Sequence, residues 1–304
     1  MADGSRHAAY YIAETVWGTT PATPSMTKLR HTGCSLGIEK DTLSSAELRD
    51  DRNIADFRMG QNKAGGTIDM ESINDAGFED LLAAACCGTW KTNVLKNGTT
   101  RQSFSVLRYF ADLEAGNKPY HISTGVEIAS VDFKVTANAI VTASFEAIAQ
   151  DYTAGESAPT GAVLGTASTT TPMDAFTGSI LEGGSSIATV TEFSFKLDNN
   201  MDRRFVIGSR DTIRPSVGRC NVSGSCTAYF DNGTLLDKFL NDTSSSVSIQ
   251  LTAGSDSLTI LFPKIRYTGG KPDVKGDGPI MLTMPFQAVY DSTEGAAIKF
   301  TRSA

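Results

Sequence analysis

The side chains best suited to acid–base or metal chemistry are three histidines, His7, His31 and His121, spread widely along the sequence. They form no His-x-x-x-His pair, so surface imidazoles are the expectation, although folding could still unite His31 with His121. Gly269-Gly270-Lys271 comes nearest to a phosphate loop, but Pro272 replaces the Ser or Thr that would hold magnesium, and the upstream glycine is missing. It reads as a turn. Cys34, Cys86, Cys87, Cys220 and Cys226 are odd in number, lack metal-ligand spacing and have no recognisable histidine partner, so free buried thiols are expected. Acidic pairs such as Asp50-Asp51 and Glu79-Asp80 lie in polar runs, where carboxylates face solvent. These residues predict no catalytic centre, no cofactor and no metal site.

Composition narrows the classes further. The 304 residues include 34 Asp and Glu against 27 Lys and Arg, so no basic field exists to hold a nucleic-acid backbone by counterion release. Weak repulsion of DNA suits a surface past which DNA slides. The N-terminal Met1-Ala2-Asp3-Gly4-Ser5-Arg6-His7 leads into polar sequence, and no run of apolar residues reaches bilayer-spanning length, which predicts a protein made and folded in the cytoplasm. The sequon-like triplets at Asn97, Asn221, Asn232 and Asn241 then read as turn chemistry.

The elements that position these residues recur. An offset of 159 carries Ser35-Leu36-Gly37-Ile38 onto Ser194-Phe195-Lys196-Leu197, Ile54 onto Ile213 and Gly65 onto Gly224. An offset of 141 carries Thr142-Ala143-Ser144-Phe145-Glu146-Ala147-Ile148 onto Thr283-Met284-Pro285-Phe286-Gln287-Ala288-Val289. A helical stripe falls between the anchors in each half, Phe78, Leu81 and Leu82 in one and Leu236, Phe239 and Leu240 in the other. Tandem duplication is the expectation, and a generic match between two alternating β-domains is the alternative. A rival alignment places Val131-Asp132-Phe133-Lys134-Val135 on Phe193-Ser194-Phe195-Lys196-Leu197. The predicted organisation is an N-terminal arm over 1–30, a first domain over 31–152, a linker over 153–173 and a second domain over 174–304.

Along the chain, Trp17-Gly18-Thr19-Thr20-Pro21-Ala22-Thr23-Pro24 has too many breakers for a helix, so residues 8–30 read as an extended arm. Such an arm lies across its own domain, or docks Tyr10, Tyr11 and Trp17 on a neighbour. A strand is predicted from about Cys34 to Lys40, then a polar loop or hairpin tip over Asp41–Lys63 containing Glu47, Arg49, Asp50, Asp51, Arg52 and Arg58. Its interleaved charges are either simply solvated or read against a partner of complementary pattern. Gly65-Gly66 opens a strand over Thr67–Glu71, Asn74-Asp75 caps a helix over 77–85, and alternating runs over 102–111 and 130–150 predict half-buried antiparallel strands. Residues 153–173 read as a linker or mobile excursion. In the second half, a loop carrying Arg203, Arg204 and Arg210 lies between strands over 191–197 and 221–230; a helix over 234–241 and strands near 246–252, 257–262 and 279–290 follow. The fold class is mainly β, two tandem sandwiches each flanked by a short helix.

With these residues laid out, the chain resembles the major tail tube proteins of long-tailed, siphovirus-like bacteriophages, in the class with two tube domains per polypeptide. The resemblance rests on Tyr11-Ile12-Ala13-Glu14-Thr15-Val16-Trp17-Gly18-Thr19-Thr20-Pro21, Arg49-Asp50-Asp51-Arg52, Thr124-Gly125-Val126-Glu127-Ile128, and Val217-Gly218-Arg219-Cys220-Asn221-Val222-Ser223-Gly224 with Phe230-Asp231. It implies β-sandwich domains joined edge to edge into a ring, with rings stacked into a tube that conducts DNA without specific binding. It further implies 41–63 and 8–30 as ring-to-ring loop and arm, with 199–218 as the second half's counterpart. The implied partners are copies of itself, a tape measure protein and tail terminator or tip proteins, in a virion tail assembled in the host cytoplasm. Three two-domain chains would fill six positions, giving a trimeric, pseudo-hexameric ring. The competing class is a β-sandwich adhesin or carbohydrate-binding module stacking sugar on Tyr10, Tyr11 and Trp17.

Overall fold

A computed structural model describes residues 2–187, 189–274 and 276–303. Its strands arise where apolar and polar side chains alternate, as in Val131-Asp132-Phe133-Lys134-Val135, so that each buries one face. The first half contains β1 (His7–Ala13), β2 (Ser25–Leu29), β3 (His31–Cys34), β4 (Gly37–Ser44), β5 (Phe57–Glu71) and helix α1 (Ala76–Ala85). It continues with β6 (Val94–Lys96), β7 (Phe104–Phe110), β8 (Tyr120–Thr136), β9 (Thr142–Ile148), β10 (Asp151–Gly155) and β11 (Val163–Leu164). The second half runs through β12 (Asp174–Glu182), β13 (Ser185–Ser186), β14 (Val190–Asp198), β15 (Asp202–Arg204), β16 (Ile213–Ser216) and β17 (Asn221–Tyr229). After helix α2 (Thr234–Leu240) come β18 (Ser245–Ala253), β19 (Asp256–Tyr267), β20 (Lys271–Asp273), β21 (Met281–Ala288) and β22 (Lys299–Arg302).

One antiparallel wall runs through both halves in the order β4-β5-β9-β8-β14-β17-β21-β20. A back sheet, β2-β1-β7-β8-β10, covers the first half of the wall. A second, β12-β18-β19-β22-β6, covers the other half. In each half one long strand serves both layers. β8 leaves the back sheet near Val126 and enters the wall, and β19 does the same at Ile265–Tyr267. Pairing therefore follows β1-β7-β8-β9-β5-β4 in the first half and β12-β18-β19-β21-β17-β14 in the second. The fold is the mainly β sandwich expected, with α1 and α2 falling between the same strands of each ladder.

The two halves share one core. Phe133 on β8 stacks on Phe195 on β14 at 5.2 Å between ring centroids, and Phe193, Phe262, Phe286 and Phe300 extend the cluster into the second half. Each buried Phe stabilises by about 1.5–3 kcal/mol, and each aromatic pair adds roughly 0.5–1.5 kcal/mol. The rival alignment noted above has a structural origin: Val131–Val135 and Phe193–Leu197 are cross-strand partners, patterned alike because they cover the same core. Asp75 caps α1 by accepting from the Phe78 amide, and Phe78, Leu81 and Leu82 are buried. In α2, however, Leu235 and Phe239 face the core while Leu240 is 66 % exposed, so the stripe is rotated by one residue from its expected position.

Two boundaries and one register differ from the sequence reading. Gly65-Gly66 lies inside a 15-residue strand instead of opening one, because β5 and β4 together extend the hairpin and leave only its tip irregular. A Cβ at Gly65 would meet the Ala147 carbonyl oxygen at 2.5 Å, and one at Gly66 the Ser35 carbonyl oxygen at 2.6 Å, both at positive φ. The pairings put Phe195, not Lys196, opposite Gly224, whereas Gly37 lies opposite Gly65; the first anchors are thus one residue out of register. Residues 153–173 are tied down: β10 pairs with β8, β11 runs parallel to β2, Arg30 donates to the Thr170 carbonyl, and Met173 is buried.

Candidate functional surface

Because neighbouring residues on a strand point to opposite faces, burying Phe133, Phe145, Phe193 and Phe195 turns the intervening positions to the open side of the wall. There Asp69, Asp132, Lys134, Ser144, Ser194 and Lys196 line a trough of about 790 Å³ that crosses the joint between the halves and continues over Ser223, Ser225 and Gln287. Alternation puts Glu71, Glu146, Glu192 and Asp198 on the same face. Both lysines are engaged, Lys196 with Asp132 and Lys134 with Glu192, each at 3.1 Å across β8 and β14. Burial works against the Lys196 ammonium, yet Asp132, aided by Glu146 and Asp198, holds its pKa above the ordinary lysine value. The face is acidic in the first half and mainly hydroxyl and amide in the second. Its paired cations leave little to attract a phosphate backbone.

The residues singled out from sequence separate into two groups. Tyr10 and Tyr11 are buried within their own chain, β1 being paired along its whole length with β7, and the Tyr11 hydroxyl donates to Asp80. Trp17 is half-buried, its indole edge lying over Gly125 beside Gln150. Neither tyrosine retains surface for a neighbour, so the arm lies across its own half. Glu47, Arg49, Asp50, Asp51, Arg52 and Arg58 sit on the exposed β4–β5 hairpin, where Arg49 makes a two-pronged bond to Asp51, holding its carboxyl far below the ordinary range. Leu48, Ile54 and Phe57 are exposed beside them.

The arginine loop of the second half packs against this hairpin. Arg203 donates to the Ala64 carbonyl, the Arg210 carbonyl accepts from the Asn62 amide, and Arg204 points to solvent. Sequence reasoning missed the residue that anchors this loop. Glu127, 1 % exposed where β8 changes sheets, accepts from Arg101 and, at 2.7 Å, from Arg214 on β16. Its neighbours Val126 and Ile128 are also buried, so alternation gave no signal there.

A family of phage tail tube proteins matches residues 4–288 of the chain. The chain belongs to that family. It is a structural protein of the phage tail, and tail tube proteins assemble with copies of themselves and with other tail proteins. No curated protein matches the sequence. Among the described residues, no helix of this tail tube protein is long and apolar enough to cross a membrane, and no group of three or more His, Cys, Asp or Glu is placed to hold a metal.

The tail tube fold gathers the three histidines instead of leaving them on the surface. His7 Nδ1 lies 2.7 Å from His31 Nε2, Arg108 donates to His7 at 3.2 Å, and His121 packs on Phe110, which also contacts His7. Strand pairing of β1 and β8 with β7, and the return through β3, causes the clustering. Burial first, then His31 and Arg108, brings the His7 pKa down to about 4; burial also lowers those of His31 and His121. A histidine whose folded pKa lies below its unfolded value of about 6.5 resists protonation in the folded state, so acid favours unfolding. Melting temperature is therefore expected to be flat above pH 7 and to fall as pH drops from 6.5 towards 4, with a shallower fall for His7→Asn between pH 6.5 and 5. Equal slopes for the two proteins would refute the assignment.

Proposed function

We propose that this protein is the major tube subunit, and that three chains close their walls into a ring of threefold true and sixfold approximate symmetry. Rings stack into a tube, and the trough faces the lumen through which viral DNA leaves during ejection. The single observation carrying this reading is the wall itself, one antiparallel sheet through both halves with a buried apolar face and an open polar one. The matching pairing orders of the halves support a tandem duplication, and with it the pseudo-sixfold ring.

Barrel geometry gives the size of such a ring. Three walls of eight strands at about 4.8 Å spacing, tilted by roughly 40°, close at a backbone radius of about 24 Å. That leaves a wide polar channel once side chains are added. In this arrangement the β4–β5 hairpin, with Glu47, Arg49–Arg52 and Arg58, and the loop carrying Arg203, Arg204 and Arg210 contact the adjacent ring. A tape measure protein inside the tube, and terminator and tip proteins at its ends, are the further partners. A head-to-tail ring contact does not close on itself, which is why such subunits grow into filaments. Electron microscopy of concentrated protein, with class averages along the tube axis, tests the proposal. Hollow rings with three chains and six similar lobes are expected; a compact monomer at every concentration, or six chains per ring, would reject it.

A further inference from the structure

We infer that the open edge formed by β3 and β4 takes the β20 edge of a second copy of this chain, in the geometry already present inside the chain between β8 and β14. This rests on the ring proposed above and specifies its lateral joint. Each half of the wall begins with β4 or β14 and ends with β8 or β20. Within the chain the end of the first half meets the beginning of the second. Among the described residues, β20 at one end of the wall and β4 at the other each have a strand partner on one side only. Strand directions alternate along the wall, so β20 of one copy would lie antiparallel to β4 of the next, as β8 lies to β14. Exposed edges of this kind are pairing templates.

Register follows from the ladders. The hydroxyls of Ser35, just before β4, and Thr67 on β5 bond at 2.9 Å, and those of Ser194 on β14 and Ser225 on β17 at 3.2 Å. Taking these pairs as equivalent makes Gly37 the counterpart of Lys196, and counting on through β9 and β21 makes Lys271 the counterpart of Asp132. The Lys196–Asp132 pairing of the internal joint thus becomes Gly37 opposite Lys271 between copies. Leu36 then faces Pro272.

Two details fit this register. Pro272 has no amide hydrogen, and the Leu36 carbonyl opposite it is already capped by the Arg108 guanidinium of its own chain. Lys271, lacking the carboxylate that Lys196 finds directly opposite, has exposed Glu39 two residues along the facing strand, within diagonal reach of a long side chain. The occupant is accordingly a second copy and no unrelated strand.

The test is cross-linking. Gly37→Cys combined with Lys271→Cys places two thiols at directly paired positions, within disulfide reach, and a Cβ at Gly37 meets nothing closer than 3.6 Å. In assembled tubes, oxidation should link chains through this pair about tenfold more than in either single variant, and mixed single variants should give dimers only. Ser35→Cys or Glu39→Cys with Lys271→Cys should couple less. Thermal unfolding of each variant controls for folding. If tubes form and none of the three pairs links, the edge assignment is wrong while the tube proposal stands; if no ring forms under any condition, both fall.

Discussion

Glu127→Ala is expected to lower the unfolding free energy by about 3 kcal/mol, the lower end of the range for breaking a buried ion pair. The carboxylate is 1 % exposed and uses both oxygens, one for each guanidinium. Removing it leaves Arg101 and Arg214 facing each other with no compensating charge. Their side chains remain 24 % and 42 % exposed, so water recovers part of the loss, and the upper end of the range is not reached. Arg101 also donates to the Pro215 carbonyl at 2.9 Å, which makes this node the fastening of the β15–β16 loop to the first half. Glu127→Gln keeps the shape and one acceptor, and should lose less. Urea unfolding of the three proteins measures the difference. A loss below about 1 kcal/mol for the alanine variant would mean that the node is no more than a surface pair. The variant should also raise amide exchange in 202–216 before the rest of the second half.

Much of the fold was legible because the wall strands are half-buried, and a half-buried strand writes its alternation into the sequence. Val131–Val135 and Phe193–Leu197 were readable for that reason. What the pattern lacked was a signal for the joint between them, since two strands covering the same core look alike whether they are repeats of one another or neighbours. Period-two patterns also fix a register only to within slips that spacing cannot see. The offset of 159 matched glycines, yet pairing shows it one residue out at Gly224, and at that resolution every inward side chain becomes an outward one. From sequence, Gly65-Gly66 reads as a boundary because paired glycines usually punctuate strands. Here their missing side chains admit the carbonyls of Ala147 and Ser35 instead, and β5 continues through them.

The functional surface was less legible. Asp132, Lys134 and Lys196 were visible as the polar members of alternating runs, but their convergence in one trough depends on β8 pairing with β14 across more than fifty residues of intervening chain. Exposed charge on the hairpin tip was easier to see, because density of Asp and Arg in one short run needs no tertiary information. The aromatic arm misled: Tyr10 and Tyr11 point to opposite faces of a paired strand and both are buried, Tyr11 in the main core and Tyr10 in a smaller cluster with Met26 and Leu107. Glu127 was hidden by context, since a single acid between Val126 and Ile128 carries no mark of the two arginines folding brings to it.

The larger effect concerns function. Asp132→Lys combined with Glu192→Lys is expected to convert the proposed tube from one that passes DNA to one that retains it. Each substitution adds a cation and also releases the lysine its carboxylate was holding, Lys196 in one case and Lys134 in the other. Four free ammonium groups per chain, repeated around and along the lumen, offer phosphate contacts at every ring. A surface making six to ten such contacts loses roughly 10³–10⁵-fold in affinity between 50 and 200 mM salt. Tubes of the variant should therefore bind duplex DNA at low salt with a steep salt dependence, and virions carrying it should eject far more slowly. Assembly should survive, because the two ion pairs are partly exposed and each contributes only about 0.2–1 kcal/mol. Asp132→Asn with Glu192→Gln frees the lysines without adding further cations and should slow ejection to a smaller degree. Ejection rates equal to those of the unaltered virion, together with tubes that bind no DNA at 50 mM salt, would place this face outside the lumen and return the trough to an ordinary solvated surface.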